Sequence, residues 1–464
     1  MTRRSDLASI AEPIGDIRGQ RFPQYGTHVA SGLDWIGSIP SHWAVRRIKH
    51  LGRIRYGLGE PPSLLSDGVP FIRATDVKRG KINPDAVQRV DPDDVPWSRA
   101  IKLKPGDILV VRSGAYTGDS AIIPGEWSAA IAGYDLVLSV DGAVPEFIAY
   151  TMLSPYMLEG QIYLAKSRAA QPHLNADELG SFVAVLPPED EQRAIVSFLD
   201  GETAEIDALI AKKQRLIELL KEKRTALISH AVTKGLNPKA AMKPSGIDWL
   251  GDIPAHWRFL RLKFLSTIQS GLTLGKKYNS ETTISRPYLR VANVQDGYLD
   301  LTEITQVEIP ASDAPRFELR AGDVLMTEGG DFDKLGRGYV WEDQIPRCLH
   351  QNHIFAVRPD TEHLDSHFLA SVLTSSHGKN YFTSTSQQTT NLATTNRTKL
   401  GNLCVPLPDV KEQRAILAAM RSRTKSIDET VNACAVAIAK LNEYRSALIS
   451  AAVTGKIDVR QEVA

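Results

Sequence analysis

Two long stretches of the chain carry apolar residues at alternating steps of three and four, with polar residues between them. Counting by sevens gives Leu199, Ile206, Lys213, Leu220 and Leu227 in the first stretch, and Met420, Ile427, Cys434, Leu441 and Leu448 in the second. Ile210 and Ile217, like Val431 and Ile438, fill the alternate step of four. This spacing predicts two helices that each bear a coiled-coil seam. The alternative is that each helix packs only on its own globular domain.

Residues near the ends of these stretches indicate where the helices begin and stop. After Pro187 and Pro188, acidic residues cluster at 189–191, where they suit the positive end of a helix dipole. In the second stretch Asp409 precedes Glu412 by three positions, a capping-box spacing. The sequence therefore predicts helices over 189–234 and 409–454, and about 40 helical residues make a rod of ~60 Å.

The segment before each long helix has a different pattern. Short β-rich runs such as GDILVVRSG around Asp107 and GDVLMTEGG around Asp323 are separated by Pro, Gly, Asn and Asp. One helix is expected to interrupt them, with Pro145 at its first position, and a counterpart carries Phe368, Leu369 and Val372. Each segment thus predicts a mixed α+β domain of roughly 160 residues.

The whole chain reads twice. SGLDWIGSIPSHW from Ser31 returns as SGIDWLGDIPAHW from Ser245, at a spacing of 214 residues. EQRAI from Glu191 returns at Glu412, at a spacing of 221, so the copies differ by small insertions. A period this long excludes short solenoid repeats and implies two domain-plus-helix units. Two equivalent helices that each follow a globule can bury their seams against each other, and globules at opposite ends require an antiparallel pair.

The predicted fold class is therefore α+β. It comprises two similar mixed α/β domains, each followed by a long helix, with the helices paired as an antiparallel coiled coil in a pseudo-two-fold dumbbell. The predicted boundaries are 1–30 for an N-terminal extension, 31–188 for the first domain, 189–234 for the first helix, 235–244 for a linker, 245–408 for the second domain, 409–454 for the second helix and 455–464 for a C-terminal tail.

Composition narrows the functional classes. The chain has 55 Lys and Arg against 54 Asp and Glu, so it has no global basic field. Cys348, Cys404 and Cys434 form no CxxC pair, which favours a reducing cytoplasm without disulfides or a zinc site. No run approaches the ~20 apolar residues of a membrane helix, and we expect neither membrane association nor a signal peptide.

Motifs for catalysis or for a cofactor are missing from the sequence. A methyltransferase needs a nucleotide-type glycine loop and an N-P-P-Y-like tetrapeptide, and neither occurs. The glycine-rich run from Gly271 to Lys277 has the wrong spacing for a P-loop. His363 and His367 lie four apart but lack the intervening Glu of a zinc protease. We predict no enzyme activity, no cofactor and no metal.

The paired motifs resemble those of type I restriction-modification specificity subunits, usually called HsdS. The resemblance covers residues 31–464 and rests on WIGSIPSHW and WLGDIPAHW, GDIL and GDVL, LPPEDEQRAI and LPDVKEQRAI, and the closing ALISAAVTGKID, in order. It implies that each domain is a target-recognition domain that reads one half of a bipartite, asymmetric site on double-stranded DNA. It also implies that the helices set the distance between the halves, that two methyltransferase subunits dock on the chain, and that restriction subunits with a translocase motor join them.

Three paired segments carry side chains suited to reading base edges, and in the resembled family related loops face DNA. The candidates in the first copy are Arg73, Thr75, Lys78, Arg112, Tyr116, Lys166, Arg168, Gln171 and His173, and those in the second are Arg290, Asn293, Lys334, Arg337, Gln387, Gln388, Asn391, Asn396 and Arg397. The copies diverge here, since Arg112 aligns with Glu328. Different side chains on a common frame predict different half-sites.

Two other functions stay open at this stage. One is a stand-alone DNA-binding regulator that needs no methyltransferase. The other is a nuclease or methylase in its own right, against which the missing motifs argue. The basic helix segment 212–224 is either a solvated coiled-coil face or a contact to the phosphates of the DNA spacer.

Overall fold

A computed structural model of the chain describes residues 22–33, 35–166, 173–275, 282–295, 297–330, 338–388 and 393–462. The chain divides into two compact units. Unit 1 comprises residues 1–213 and 435–464, and unit 2 comprises residues 214–434. Each unit therefore contains one half of each long helix.

Unit 1 is built from short strands and a few short helices. Its strands are β1 (His28–Ala30), β2 (Ser38–Pro40), β3 (Ala44–Arg47), β4 (Gly52–Tyr56), β5 (Leu64–Ile72), β6 (Val77–Lys78), β7 (Lys81–Ile82), β8 (Gln88–Val90), β9 (Ile108–Val110), β10 (Ser120–Ile122), β11 (Ile131–Ala132), β12 (Leu136–Val140) and β13 (Val183–Leu186). Its short helices are α1 (Pro145–Leu153), α2 (Pro155–Met157), α3 (Tyr163–Lys166) and α4 (Ala176–Ser181). The helix predicted to begin at Pro145 is confirmed.

Two long helices follow the β-rich segments, as predicted. The first, α5 (Glu189–Lys234), begins in unit 1 and continues into unit 2. Unit 2 contains the strands β14 (Met242–Pro244), β15 (Asp252–Pro254), β16 (Arg258–Arg261), β17 (Ser266–Ser270), β18 (Thr283–Leu289), β19 (Thr305–Pro310), β20 (Val324–Thr327), β21 (Gly329–Gly330), β22 (Gly338–Val340), β23 (Leu349–His350), β24 (Ile354–Pro359), β25 (Gln387–Gln388), β26 (Ala393–Thr394) and β27 (Cys404–Leu407). Its helices are α6 (Ala314–Phe317), α7 (Ser366–Thr374), α8 (Ser376–Thr385), α9 (Arg397–Asn402) and the start of α10 (Val410–Val453), which ends in unit 1.

The sheets of the two units repeat each other. A four-stranded sheet has the order β10-β9-β12-β4 in unit 1 and β22-β20-β24-β17 in unit 2. A three-stranded sheet, β11-β5-β8, returns as β23-β18-β19, and in each the first pair is parallel and the second antiparallel. The pair β3-β13 returns as β16-β27. The sequence repeat is therefore a repeat of strand order and pairing.

Within unit 1, the start of α5 and the end of α10 share one hydrophobic core. Leu199 and Ile206 of α5 belong to the same buried cluster as Leu448 and Val453 of α10. Arg445 of α10 lies 3.2 Å from Asp207 of α5, measured from Nε to Oδ1. The predicted seam positions are thus buried in this part of the molecule, as core packing requires.

Within unit 2, the other halves of the same helices pack in the same way. Val232 of α5 belongs to one buried cluster with Ile416 and Met420 of α10. Arg224 Nε donates to Asp428 Oδ1 at 2.8 Å. In each unit, therefore, one half of α5 shares a core with the half of α10 from the opposite end of that helix.

Residues beyond the predicted domain boundaries also belong to the core of unit 1. Phe22 and Tyr25, within the segment predicted as an N-terminal extension, are buried. Ile457 and Val459, within the predicted C-terminal tail, are buried in the same cluster. The Asp458 backbone N–H donates to the Pro23 carbonyl at 2.8 Å. Both described segments are therefore structural parts of unit 1.

A glycine in the left-handed region ends each long helix. Gly235 follows α5 with φ +76°, and Gly455 follows α10 with φ +68°. A Cβ atom added at Gly455 would lie 2.3 Å from Cδ of Pro40, and one added at Gly235 would lie 3.2 Å from the ring of Trp257. Since glycine adopts this conformation without steric cost, both stops are built into the sequence.

The long helices are amphipathic rather than uniformly apolar. Among the described residues, no helix is both long enough and apolar enough to cross a membrane.

Candidate nucleic-acid interface

Several candidate side chains fall where the structure gives no description. Arg168, Gln171, Lys334, Arg337 and Asn391 lie outside the described residues. Lys166, Gln387 and Gln388 belong to described elements, but their side chains lie outside the described part. The candidate site can therefore be built only from the other residues.

The segment that follows β5 in unit 1 is held by its own side chains. Arg73 donates from Nη1 to Gln88 Oε1 at 2.7 Å and from Nη2 to Asp76 Oδ1 at 3.1 Å. Asp76 is fully buried and also accepts from the Thr75 hydroxyl at 2.9 Å. Lys78, in contrast, is exposed. Arg73 is thus engaged in the fold, while the Lys78 ammonium remains accessible.

The equivalent segment of unit 2 is capped in the same way by an amide. The Arg290 backbone N–H donates to Asn293 Oδ1 at 2.8 Å. Asn293 Nδ2 donates to the carbonyls of Asp300 and Glu303, at 2.8 and 3.0 Å. Because Asn293 is buried and its amide makes these bonds to the backbone, it stabilises the turn. The Arg290 side chain is exposed and lies 3.9 Å from Glu303, measured from Nη2 to Oε2.

A cluster of rings surrounds Arg112 at the end of β9. The guanidinium carbon lies 4.7 Å from the ring centroid of Tyr56 and 4.4 Å from that of Tyr134. Its Nη2 lies 2.8 Å from His173 Nε2. The Tyr56 hydroxyl accepts from the Ala176 backbone N–H at 2.9 Å, which anchors one ring. The structure therefore brings together two predicted candidates, Arg112 and His173, between two exposed tyrosines.

A buried carboxyl lies beneath this cluster. Asp135 Oδ1 accepts from the Arg112 backbone N–H at 3.2 Å. Burial raises the pKa of Asp135 to about 6, although the hydrogen bond and the charge of Arg112 act in the opposite direction. The arginine and the carboxyl are thus electrostatically coupled.

The equivalent position in unit 2 has the opposite chemistry. Glu328 follows β20 as Arg112 follows β9. Its Oε2 lies 2.7 Å from Nδ1 of His353, in the turn that precedes β24. The Thr395 backbone N–H donates to the Glu328 carbonyl at 2.9 Å, just as Leu174 donates to the Arg112 carbonyl at 2.8 Å. The same backbone frame therefore presents a cation in one unit and an acid in the other.

The remaining described candidates lie around these positions. Tyr116 is 56% exposed in the loop between β9 and β10. Asn396 caps α9, since its Oδ1 accepts from the Lys399 backbone N–H at 2.9 Å. Arg397, at the first position of α9, is exposed. Tyr116 and Arg397 thus remain accessible, whereas the Asn396 carbonyl oxygen serves the helix.

The structure adds residues that sequence reasoning missed. Tyr56, Tyr134 and His353 stand beside Arg112 or Glu328 but were not among the candidates. Their roles depend on contacts between residues 22 to 56 positions apart along the chain, so local patterns carried no signal for them. Glu328 was visible only as the aligned partner of Arg112.

His363 and His367, the two histidines considered as metal ligands in the sequence, contact different acidic residues. His363 pairs with Asp360 at 3.0 Å, and His367 lies 3.6 Å from Glu342. The ligand atoms of Asp360, Glu362 and His363 lie within 4.8 Å of one another, but all three residues are exposed. Exposed acidic clusters of this kind are ordinary surface features.

Comparison with known proteins places this architecture in a class. Residues 40–219 match the family model of the type I restriction modification DNA specificity domain. The chain is 24% identical over 439 residues to the type I restriction enzyme EcoKI specificity subunit of Escherichia coli K12, covering 91% of this chain and 90% of that protein. It is 24% identical over 450 residues to the putative MjaX specificity subunit of Methanocaldococcus jannaschii, covering 92% and 96%.

The fold agrees with a solved structure from a study of complex assembly in a type I restriction-modification system. That chain is 20% identical, with a TM-score of 0.64, and the match covers 90% of this chain and 99% of that one. The chain is therefore similar, over more than 90% of its length, to specificity subunits of type I restriction enzymes, and the family model itself matches residues 40–219.

Proposed function

We propose that this chain selects a bipartite, asymmetric site on double-stranded DNA, with one half read by each target-recognition domain. The domains are residues 31–188 and 245–408, the long helices 189–234 and 409–454 join them, and 235–244 is the linker. The observation that carries the proposal is the repeat of sheets with different chemistry at one position, Arg112 and Glu328. A common frame with different reading groups suits two unlike half-sites.

The two long helices pair antiparallel and set the distance between the half-sites. This rests on the contacts within each unit: Asp207 with Arg445 in unit 1, and Arg224 with Asp428 in unit 2. The order of these partners along the two helices is that of an antiparallel pair. A coiled coil of this kind keeps its length because its seam allows only one register.

The chain also serves as a scaffold for two methyltransferase subunits and for restriction subunits. Leu216 and Leu219, three apart on α5 within unit 2, are 42% and 45% exposed. Leucines left outside a helical seam suit a protein partner. Such partners also supply phosphate contacts, since the chain itself has a net charge of only +1.

A paired deletion tests the proposed distance rule. Removing Leu209–Arg215 together with Thr430–Val436 deletes one heptad from each helix and leaves the Asp207–Arg445 and Arg224–Asp428 pairs intact. The rod shortens by ~10 Å, which corresponds to about three base pairs at ~3.4 Å each. We expect unchanged half-sites with a shorter spacer, read by sequencing the DNA methylated by the variant and its methyltransferase subunit.

The control deletes the heptad from α5 alone, which should break the register and abolish site selection. Three base pairs also rotate the second half-site by about a third of a DNA turn, so we expect reduced methylation by the paired deletion. An active paired deletion with the original spacer contradicts the distance rule. Selective DNA binding by the isolated chain, without a methyltransferase, favours the stand-alone regulator instead.

A further inference from the structure

We propose that Arg112 and Glu328 are the equivalent specificity-determining residues of the two domains. Arg112 binds the acceptor edge of a guanine in one half-site, and Glu328 accepts from the amino group of a cytosine in the other. This inference rests on the proposed function and names the base chemistry that each domain takes. Its basis is the contrast between two side chains on one backbone frame.

The Arg112 guanidinium is held in place by aromatic rings and a histidine rather than by an ion pair. Among the described residues, no carboxylate lies within ion-pair distance of its guanidinium, and its described side-chain contacts are two tyrosine rings and the imidazole of His173. An arginine that only stabilises a fold normally donates to carboxylate or carbonyl oxygens. Ring faces fix the plane of the guanidinium but leave its charge available to an acceptor.

The fixed plane suits guanine in particular. Guanine presents two acceptors, O6 and N7, in the major groove. Nη1 and Nη2 can meet that pair, because each carries two N–H groups and His173 takes at most one of those of Nη2, whereas Nε is buried. Tyr56 and Tyr134 are 45% and 48% exposed, so the cluster lies at the surface where a groove edge can approach. Holding the side chain before binding reduces the entropy lost when the contact forms.

Glu328 presents carboxylate oxygens at a surface proposed to face DNA, where the negative phosphates would normally favour a cation. His353 Nδ1 donates to Oε2 of Glu328 at 2.7 Å, and the His353 Nε2 accepts from Asn352 Nδ2 at 3.3 Å. These described contacts orient the carboxylate and use one of its two oxygens. A carboxylate near phosphates is unfavourable unless it meets a donor, and the N4 amino group of cytosine is the base donor that Glu accepts from.

The experiment uses the full chain with the methyltransferase subunit of its own system, expressed in cells whose methylated sites are then sequenced. Arg112→Ala should lower the preference for guanine at one position of one half-site by roughly 10-fold or more. Arg112→Lys keeps the charge without the two-pronged geometry, so it should relax the same position. Glu328→Gln should admit adenine at one position of the other half-site, because an amide binds adenine.

Matched controls separate specificity from charge and from folding. Arg46→Ala removes an exposed arginine of β3, and Glu342→Gln alters another glutamate that faces a histidine. Both should leave the methylated sequence unchanged. Hydrogen exchange of the strands monitors folding, and if Arg112→Ala unfolds, the Arg112→Lys variant decides.

Four outcomes overturn the inference: an unchanged methylated sequence in the Arg112 and Glu328 variants, a uniform loss of methylation at all sequences, relaxation of the same half-site by both variants, or Glu328→Gln variants that still reject adenine. A uniform loss would assign Arg112 to phosphate contact. If the wild-type complex itself methylates no two-part site, the proposed function fails first. If it does and the variants match it, this inference alone fails.

Discussion

The turns that begin β9 in unit 1 and β20 in unit 2 contain equivalent buried aspartates, Asp107 and Asp323, whose side-chain partners differ. In unit 1, Asp107 accepts from the Lys104 backbone N–H at 2.9 Å and from the Ser139 hydroxyl at 2.6 Å. In unit 2, Asp323 accepts from the Arg320 backbone N–H at 2.8 Å and from Arg358, through Nε and Nη2, both at 2.7 Å. The turn is the same, but the second partner is neutral in unit 1 and charged in unit 2.

The difference shows which part of the motif the fold needs. The carboxylate accepts the backbone N–H of the residue three positions earlier in both units, so the turn geometry accounts for the repeated Gly-Asp. The second oxygen needs a donor because a buried polar group without one is costly. The Ser139 hydroxyl is that donor in unit 1 and the Arg358 guanidinium is that donor in unit 2. Only in unit 2 does the stability of the turn therefore depend on an ion pair.

The largest expected effect comes from removing that guanidinium. Arg358→Met leaves the fully buried Asp323 without its ion-pair partner, which should destabilise unit 2 by about 3–5 kcal/mol. Ser139→Ala in unit 1 should cost only about 1–3 kcal/mol. Urea unfolding with hydrogen exchange of β9 and β20 measures both. Equal losses in the two units would refute the comparison.

The first turns of the long helices make a second contrast. Glu191 of α5 is 6% exposed and accepts from the side chains of Tyr25, His42 and Trp43. Glu412 of α10 is 31% exposed, and its described side-chain partner is His256, at 2.9 Å. Among the described residues, the Trp257 indole N–H is buried without an acceptor. In the first copy, the glutamate thus accepts hydrogen bonds from three side chains, whereas in the second copy its described side-chain partner is one histidine.

We therefore expect Glu191→Ala to cost more than Glu412→Ala. The first variant leaves the buried Tyr25 and Trp43 donors without an acceptor, at about 2–4 kcal/mol in total. The second removes a more exposed pair, worth about 1 kcal/mol or less. Thermal unfolding of both variants, with Glu189→Ala as an exposed control on the same helix, gives the ranking. A reversed order would show that the hydrogen bonds accepted by Glu191 do not stabilise unit 1.

The two units should also differ in their response to acid, because each has one buried group with a shifted pKa. Burial raises the pKa of Asp135 in unit 1 to about 6, above its ordinary value of 3.8. Burial lowers the pKa of His350 in unit 2 to about 4, below its ordinary value of 6.5. As the pH falls, Asp135 therefore takes up a proton in the folded form of unit 1 at a higher pH than in the unfolded form. His350 of unit 2 behaves in the opposite way, since it is protonated first in the unfolded form.

As the pH falls from 6.5 to 4, these two groups should therefore make unit 1 more stable and unit 2 less stable. Hydrogen exchange of β9 and β20, corrected for the intrinsic rate at each pH, measures the two trends. Asp135→Asn should remove the gain in unit 1, and His350→Gln should remove the loss in unit 2. Parallel trends in the wild-type protein would contradict the assignment.

Much of the framework could be predicted because it depends on local or periodic patterns. The start of α1 at Pro145 and the cap of α10, where Asp409 Oδ1 accepts from the Glu412 backbone N–H at 2.8 Å, are set by residues close in sequence. The seam positions are set by a period of seven. Such signals need no knowledge of distant contacts.

The features that sequence reasoning missed depend on distant contacts. Tyr25 donates to Glu191, which lies 166 positions away, and the ring cluster around Arg112 is formed by Tyr56 and Tyr134. No local pattern distinguishes these residues from surface residues. The same is true of Asn293, whose chemistry suits adenine but whose amide is used by its own turn.

Gly235 and Gly455 end the two helices that are proposed to set the distance between the half-sites, so only certain helix lengths are allowed. Because each helix has a defined end, its length changes only by insertion or deletion of whole residues. Each residue adds ~1.5 Å to the helix and also turns the attached domain by ~100°. Seven residues return that domain to within ~20° of its starting orientation and four to within ~40°, whereas most other steps turn it well away. Related chains should therefore recognise spacers that differ in steps, with the intermediate lengths left unused.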